Sequence, residues 1–223
     1  MMPNIRAIVF DFDGVVVDSE PLYEKAEKKL FARYQIYPGE EIWKRIKGLS
    51  EKIFLILLRD EYGIDVSLAE LQVYSRQYLR ELFARDLKYV PGFVEFFERI
   101  KPHYKNGLVT STSRDLLDWI FRHTAIRNDF QEIVTVDDTA NGKPHAEPYL
   151  LIARRLGVPP GEMLVIEDSI NGIESARAAG AFTIGFTTTL TKEDLSLAHL
   201  HAKNYAELIK ILTSYSNLDS MRK

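Results

Sequence analysis

The sequence predicts a doubly wound α/β fold, with a second, all-helical domain inserted near its start. Three observations lead there. Five short apolar runs have the continuous, non-alternating character of strands buried on both faces. Segments with apolar residues at helical spacing separate the last four runs, and that alternation implies parallel strands joined by right-handed crossovers. Between the first run and the second lies a long stretch, residues 18–88, with helical periodicity and nothing strand-like. The expected architecture is therefore a Rossmann-like core of residues 1–17 and 89–223, interrupted by a helical domain of residues 18–88.

Taken in order, the first run, Ala7–Phe10, leads straight into Asp11-Phe12-Asp13-Gly14. Asp18-Ser19 then reads as a helix N-cap, since a serine before an amphipathic run favours that position. Within the insertion, Tyr23-Ala26-Leu30, Ile53-Phe54-Leu57-Leu58 and Leu71-Tyr74-Tyr78-Leu82 each mark one face of a helix, with Tyr74, Tyr78 and Phe83 expected in the core of a small bundle. The α/β pattern resumes at Pro91-Gly92. Strands follow at Gly107–Thr110, Glu132–Val136, Met163–Ile166 and Phe182–Phe186. The helices between them carry Leu116-Leu117-Ile120-Phe121, Tyr149-Leu150-Ala153-Leu156 closed by Gly157, and Ile170-Ile173-Ala176-Ala179 closed by Gly180. After Leu212 the periodicity lapses and a frayed tail is expected.

Composition narrows the functional classes. Twenty-nine basic residues against 32 acidic ones, a net charge of −3, leave no footprint for a polyanion, so nucleic acid is not an expected partner. With no cysteine there is no disulfide, no thiol nucleophile and no cysteine-ligated metal. No apolar run reaches membrane-spanning or signal-peptide length, the longest being Ile53 to Leu58. These features lead us to expect a cytoplasmic, monomeric protein with no membrane partner.

In open α/β sheets ligands bind beyond the carboxyl ends of the strands, so the residues there carry the functional argument. The first strand is followed by Asp11 and Asp13, the second by Ser111, Thr112 and Ser113, the third, after an acidic loop, by Asn141-Gly142-Lys143-Pro144, and the fourth by Glu167, Asp168 and Ser169. Acids, hydroxyls and one lysine on a single edge suit magnesium-assisted phosphoryl transfer. Mg²⁺ takes oxygen ligands, which Asp11 and Asp168 can supply. A carboxylate nucleophile divides the transfer into two steps through an aspartyl-phosphate. A second carboxyl must then protonate the leaving oxygen and later deprotonate water, which requires two acids in two environments. Residues i and i+2 of extended backbone point the same way, so Asp11 and Asp13 can face one phosphate. Lys143 and Ser111 offer a cation and a hydroxyl to its oxygens, and Gly14 permits close backbone approach.

The stretches VFDFDGVVVDSEP, VTSTS, GKPHAEPY and VIEDSINGIESARAAG resemble, in order, the four motifs of the haloacid dehalogenase-like hydrolase superfamily, in its helical-cap phosphatase and β-phosphoglucomutase-like branch. The resemblance implies that Asp11 is the nucleophile, and that Asp13 is the general acid/base and also lends its backbone carbonyl to Mg²⁺. It implies that Ser111, with Thr112 beside it, and Lys143 bind the phosphoryl group, that Asp168 ligates the metal, and that Glu167 ligates or supports it. The inserted helical domain would be a cap that closes over the site and reads the substrate. Dehalogenases and phosphonatases of the superfamily lack the second aspartate, so Asp13 argues against both. Resembling mutases carry an arginine in a Gly-x-Ser-Arg cap loop and a histidine on the first cap helix; Glu51 and Tyr23 stand at those positions. The expected function is thus a Mg²⁺-dependent phosphatase of small phosphorylated metabolites, sugar phosphates first, with a β-phosphoglucomutase-like mutase as the alternative and a non-catalytic binding protein as a third reading.

Other polar residues carry plainer expectations. Asp137 and Asp138 read as a solvated acidic loop, His145 as a surface histidine at a helix start, and His103, His123, His199 and His201 as structural.

Overall fold

The computed structural model describes residues 3–46 and 51–215. The chain forms two compact units, one of residues up to Asp18 together with Lys88 onward, the other spanning Ser19–Leu87.

The first unit is built on a six-stranded parallel sheet: β1 (Ala7–Phe10), β2 (Lys105–Val109), β3 (Glu132–Val134), β4 (Met163–Glu167), β5 (Phe182–Phe186) and β6 (Leu200–Ala202), in the order β3-β2-β1-β4-β5-β6. All residues of β1 and β4 are buried, as a sheet covered on both faces requires. The short β6 escaped the sequence reading because Leu200-His201-Ala202 has no apolar run to mark it. The third strand is shorter than expected. It stops at Val134, where Thr135 caps a 3₁₀ turn over Val136–Asp138 through reciprocal hydrogen bonds with Asp138.

The helices of the second unit are α1 (Glu20–Arg33), α2 (Glu40–Ile46), α3 (Glu51–Tyr62) and α4 (Leu68–Asp86). They enclose a core of Leu30, Phe31, Ile46, Phe54, Leu55, Leu58 and Leu71. Phe31 meets Trp43, Phe54 and Tyr62 edge to face, the arrangement aromatic quadrupoles favour. Tyr74 and Tyr78 pack against this core, and the Arg33 guanidinium lies 3.4 Å from the centre of the Tyr74 ring. Ser19 holds the N-cap position of α1 but makes no side-chain cap hydrogen bond, because its backbone is itself helical.

In the first unit α5 (Phe93–Ile100) precedes β2, α6 (Arg114–His123) precedes β3, α7 (Glu147–Leu156) precedes β4 and α8 (Ile170–Ala178) precedes β5. α9 (Tyr205–Tyr215) follows β6. α5 was legible but not singled out: Phe93, Phe96, Phe97 and Ile100, at helical spacing, are all buried. The helix does not lapse at Leu212 as expected. α9 continues to Tyr215, with the Thr213 and Ser214 hydroxyls bonded back to the carbonyls of Ile209 and Ile211, and the rest of the tail lies outside the described residues. No helix among the described residues is long and apolar enough to cross a membrane.

Register positions the site. Phe10 of β1 pairs with Leu108 of β2 on one side and Ile166 of β4 on the other. The three strands therefore end level, and Asp11, Val109 and Glu167 emerge side by side. Strand order also reverses here, since the chain goes from β1 outward through β2 and β3 and returns to place β4 on β1's other side. This is the switch point at which doubly wound sheets open a crevice for ligands.

Candidate active site

Asp11 follows β1 directly, and its N–H donates to the Ile166 carbonyl 3.0 Å away, which anchors the backbone between β1 and β4. The chain then turns sharply. Gly14 N–H donates to Val17 O, and Val16 and Val17 both donate to Phe12 O. Gly14 adopts φ +74°, and a Cβ there would stand 1.9 Å from Asp168 Oδ2. Only glycine lets this turn press against the acid at the end of β4.

Lys143 joins the two strand ends. Its ammonium donates to Asp11 Oδ1 at 2.5 Å, Glu167 Oε1 at 2.5 Å and the Val109 carbonyl at 3.0 Å, three acceptors for its three protons. The loop carrying it is clamped by Glu147, whose carboxylate accepts from the N–H groups of Ala140 and Asn141 and from the Asn141 side chain. Glu167 is wholly buried. Its Oε1 also accepts from the Tyr149 hydroxyl, and its Oε2 accepts from the Ser169 hydroxyl and N–H. Ser169 in turn caps α8 by accepting from Gly172 N–H. Asp168 takes a 2.5 Å hydrogen bond from the Thr189 hydroxyl, and Thr188 donates to the Gly14 carbonyl.

The structure thus brings Asp11, Asp13, Lys143, Glu167 and Asp168 together. Thr112 joins them through Asp13. Its hydroxyl donates to Asp13 Oδ2 at 2.9 Å, so it orients an acid within the cluster. Ser111 is exposed in the loop after β2. Sequence reasoning missed Thr188 and Thr189 beyond β5, and Tyr149. The threonines could have been found by extending the strand-end search to the fifth strand; no local signal distinguishes Tyr149 from a core aromatic.

The electrostatics are severe. Four carboxylates stand against one ammonium, and Asp11, Glu167 and Asp168 are 7%, 0% and 6% exposed. Burial pushes the Asp11 carboxyl well above its ordinary range; Lys143 opposes that rise, while Glu167, Asp168 and Asp13 add to it. Asp168 is raised to about 7 by burial and then by Glu167, against the Thr189 hydrogen bond. Burial alone would discharge Lys143, but Asp11 and Glu167 reverse this and hold its pKa above the ordinary lysine value. A divalent cation suits such a place. Asp11, Glu167 and Asp168 each present a carboxylate oxygen, all within 4.8 Å of one another, and an all-oxygen donor set favours a hard ion such as Mg²⁺.

The other polar residues have structural roles. Asp137 and Asp138 do not form a merely solvated loop. Asp137 accepts from Arg114 N–H at the start of α6, and Asp138 takes the Thr135 N–H and hydroxyl and both Arg114 and Arg155. His145 is exposed just before α7, as expected. In the helical unit, Glu51 is not an isolated anion: it accepts from Gln72 at 3.0 Å and from Arg76 at 3.3 Å. Residues 47–50 of the loop before it, and the Lys52 side chain, lie outside the described residues.

A parallel sheet ending in this group of acids around one lysine is matched by a known family. The profile of the haloacid dehalogenase-like hydrolases covers residues 8–186, and the chain belongs to that family. Within it the chain is a phosphomonoester hydrolase. It is 35% identical over 178 residues to the phosphorylated carbohydrates phosphatase of Thermotoga maritima, an alignment spanning 79% of this chain and 82% of the relative. It is 33% identical to the phosphoglycolate phosphatase of Salmonella paratyphi A over 83% of this chain and 82% of that one. Among solved structures, a candidate β-phosphoglucomutase from Thermotoga maritima superposes with TM-score 0.82 at 31% identity, covering 95% of this chain and all of the other. The β-phosphoglucomutase of Clostridium difficile follows with TM-score 0.75 at 26% identity, over 94% and 96% of the two chains.

Proposed function

We propose that the protein is a Mg²⁺-dependent phosphatase of small phosphorylated metabolites, sugar phosphates first, acting through an aspartyl-phosphate on Asp11. The observation that carries this reading is the group at the switch point: Asp11 and Glu167 share the Lys143 ammonium, with the buried Asp168 and the half-buried Asp13 completing an excess of negative charge. Asp11, Asp168 and the carbonyl of Asp13 would hold the cation, with Glu167 beside them. When bound, the ion supplies positive charge that lets an anionic nucleophile approach an anionic phosphate.

In the first step an Asp11 carboxylate oxygen forms a bond to phosphorus as the bond from phosphorus to the ester oxygen breaks. The leaving oxygen takes the proton of the Asp13 carboxyl and departs as the alcohol. In the second step a water oxygen attacks phosphorus and its proton passes to Asp13. The bond between Asp11 and phosphorus breaks, restoring the Asp11 carboxylate and releasing inorganic phosphate. Thr112 holds Asp13 for both transfers, and Lys143 fixes Oδ1 of Asp11. Ser111, exposed at the end of β2, serves the phosphoryl oxygens. Selection of the leaving group is assigned to the helical unit.

The phosphatase named for phosphorylated carbohydrates supports the sugar-phosphate class, and the structural likeness to β-phosphoglucomutases keeps a mutase as the second reading. Glu51 favours the phosphatase, because it stands where resembling mutases carry an arginine and a carboxylate there would repel a second phosphate. The test is phosphate release from a panel of sugar and small-acid phosphates, with Mg²⁺ and with EDTA. Asp11→Asn serves as the blank, and β-glucose 1-phosphate with trace bisphosphate is followed for isomerisation. Mg²⁺-dependent release absent from the variant is the expected result. Isomerisation without net release would replace the phosphatase by the mutase.

A further inference from the structure

Tyr149 touches the charged cluster but takes no part in the chemistry above. It lies in the first turn of α7 with its side chain wholly buried. Its hydroxyl donates to Glu167 Oε1 at 2.8 Å, and the centre of its ring lies 5.5 Å from the Lys143 ammonium. One side chain therefore contacts both members of an ion pair, the anion through a hydrogen bond and the cation through the ring. The Glu167 carboxylate is held at both ends, since Oε1 faces Tyr149 and Lys143 while Oε2 faces Ser169. Such a carboxylate cannot turn about its last torsion without breaking bonds on both oxygens. The hydroxyl is the donor of this pair, the carboxylate the acceptor.

We propose that Tyr149 is a positioning residue whose hydroxyl locks the Glu167 carboxylate in the orientation that holds the Lys143 ammonium on Oδ1 of Asp11. The contacts form one line: Tyr149 Oη to Glu167 Oε1, Glu167 Oε1 to Lys143 Nζ, Lys143 Nζ to Asp11 Oδ1. The kinetic consequence rests on reading Asp11 as the nucleophile; the geometric one does not. Without the hydroxyl, Glu167 gains a degree of freedom and the lysine follows it, and small misplacements of reacting groups cost rate steeply.

Tyr149→Phe is the decisive variant, because it keeps the ring and its packing and removes a single oxygen. On the best substrate of the panel, kcat should fall about tenfold or more while KM stays within about threefold, since the hydroxyl meets no substrate. A second readout needs no turnover. In protein labelled with ¹⁵N-lysine, the Lys143 ammonium signal, assigned by its loss in Lys143→Met, should shift in Tyr149→Phe and exchange with water about tenfold faster or more. An unshifted signal with unchanged exchange in folded Tyr149→Phe would overturn the proposal, as would kcat within about twofold of wild type. A fall in kcat that only tracks a lowered melting temperature, with the ammonium signal unmoved, would reduce Tyr149 to a core residue and overturn it too. Should the wild type release no phosphate from any substrate, the phosphatase reading fails, while the ammonium comparison still decides the role of Tyr149.

Discussion

Asp11 carries a heavy electrostatic load. It is nearly buried beside three other carboxylates and is balanced by a single ammonium. In the proposed mechanism, replacement by asparagine removes the attacking oxygen anion yet keeps an acceptor for Lys143. We expect Asp11→Asn to lose phosphate release by about a thousandfold or more while melting at or above the wild-type temperature without added metal, because a crowded buried charge has gone. Phosphate assay and thermal melt together check this. Asp13→Asn should slow esters of poor leaving groups more than esters of good ones, since only the former need a proton in the transition state; a series of aryl and alkyl phosphates measures the difference. Both aspartates were legible in the sequence because a paired acid straight after an apolar strand is a local anomaly. Thr189 was not: a threonine in a loop says nothing until the fold sets its hydroxyl 2.5 Å from Asp168.

At the scale of elements, α8 and the turn after β3 show how local structure supports the site. Gly172 is in the first turn of α8, where an added Cβ would stand 1.9 Å from both Cδ and Oε1 of Glu167. The missing side chain is the slot in which that carboxylate lies. Gly172→Ala should therefore destabilise the fold by about 1–3 kcal/mol and lower activity more than a mere stability loss would, as read by urea denaturation and by kcat on the folded fraction. Asp138 illustrates a pH dependence. Burial tends to raise its pKa, but the Thr135 N–H, the Arg155 and Arg114 guanidiniums and the Thr135 hydroxyl prevail and hold it well below the ordinary range. A carboxyl with a depressed folded pKa contributes its stability above the unfolded value of about 4 and loses it as pH falls toward the folded one. Asp138→Asn should thus be less stable than wild type by about 2 kcal/mol at pH 7, with the gap narrowing below about pH 4 in denaturation series at several pH values. Helix spacing announced α6, α7 and α8 in advance, whereas Asp138 read as a solvent-facing acid because Arg114 and Arg155 are 24 and 17 residues away in the chain.

For the whole molecule, the excess of buried negative charge makes folding and ion binding one problem. A cation that binds only the folded α/β unit stabilises it by mass action, about 2.7 kcal/mol at a hundred times its dissociation constant. Saturating Mg²⁺ should raise the melting temperature by several degrees, about 2–4 °C per kcal/mol for a chain of this size, and EDTA should abolish both the shift and the phosphatase activity. Asp11→Asn should show a smaller shift in the same scanning calorimetry if, as proposed, its carboxylate is one of the ion's oxygen ligands. A wild-type melt indifferent to Mg²⁺ would separate the acid cluster from metal binding.

The sequence by itself determined the α/β class, the parallel strands and the residue types at four strand ends, because apolar periodicity and acids at the ends of apolar runs are properties of neighbours in the chain. It also determined that Asp11, Asp13, Lys143, Glu167 and Asp168 were the residues to watch. Tertiary structure alone decided what they do to one another. Lys143 meets Asp11 across 132 positions of sequence, Thr112 meets Asp13 across 99, and Tyr149 becomes a partner of Glu167 only when α7 packs on the sheet against β2 and β3. The level register of β1, β2 and β4 sets side by side the three acceptors, on Asp11, Val109 and Glu167, that Lys143 meets. Charge–charge interaction and hydrogen bonding depend on distance in space, and no pattern along the chain encodes that distance before the sheet is assembled.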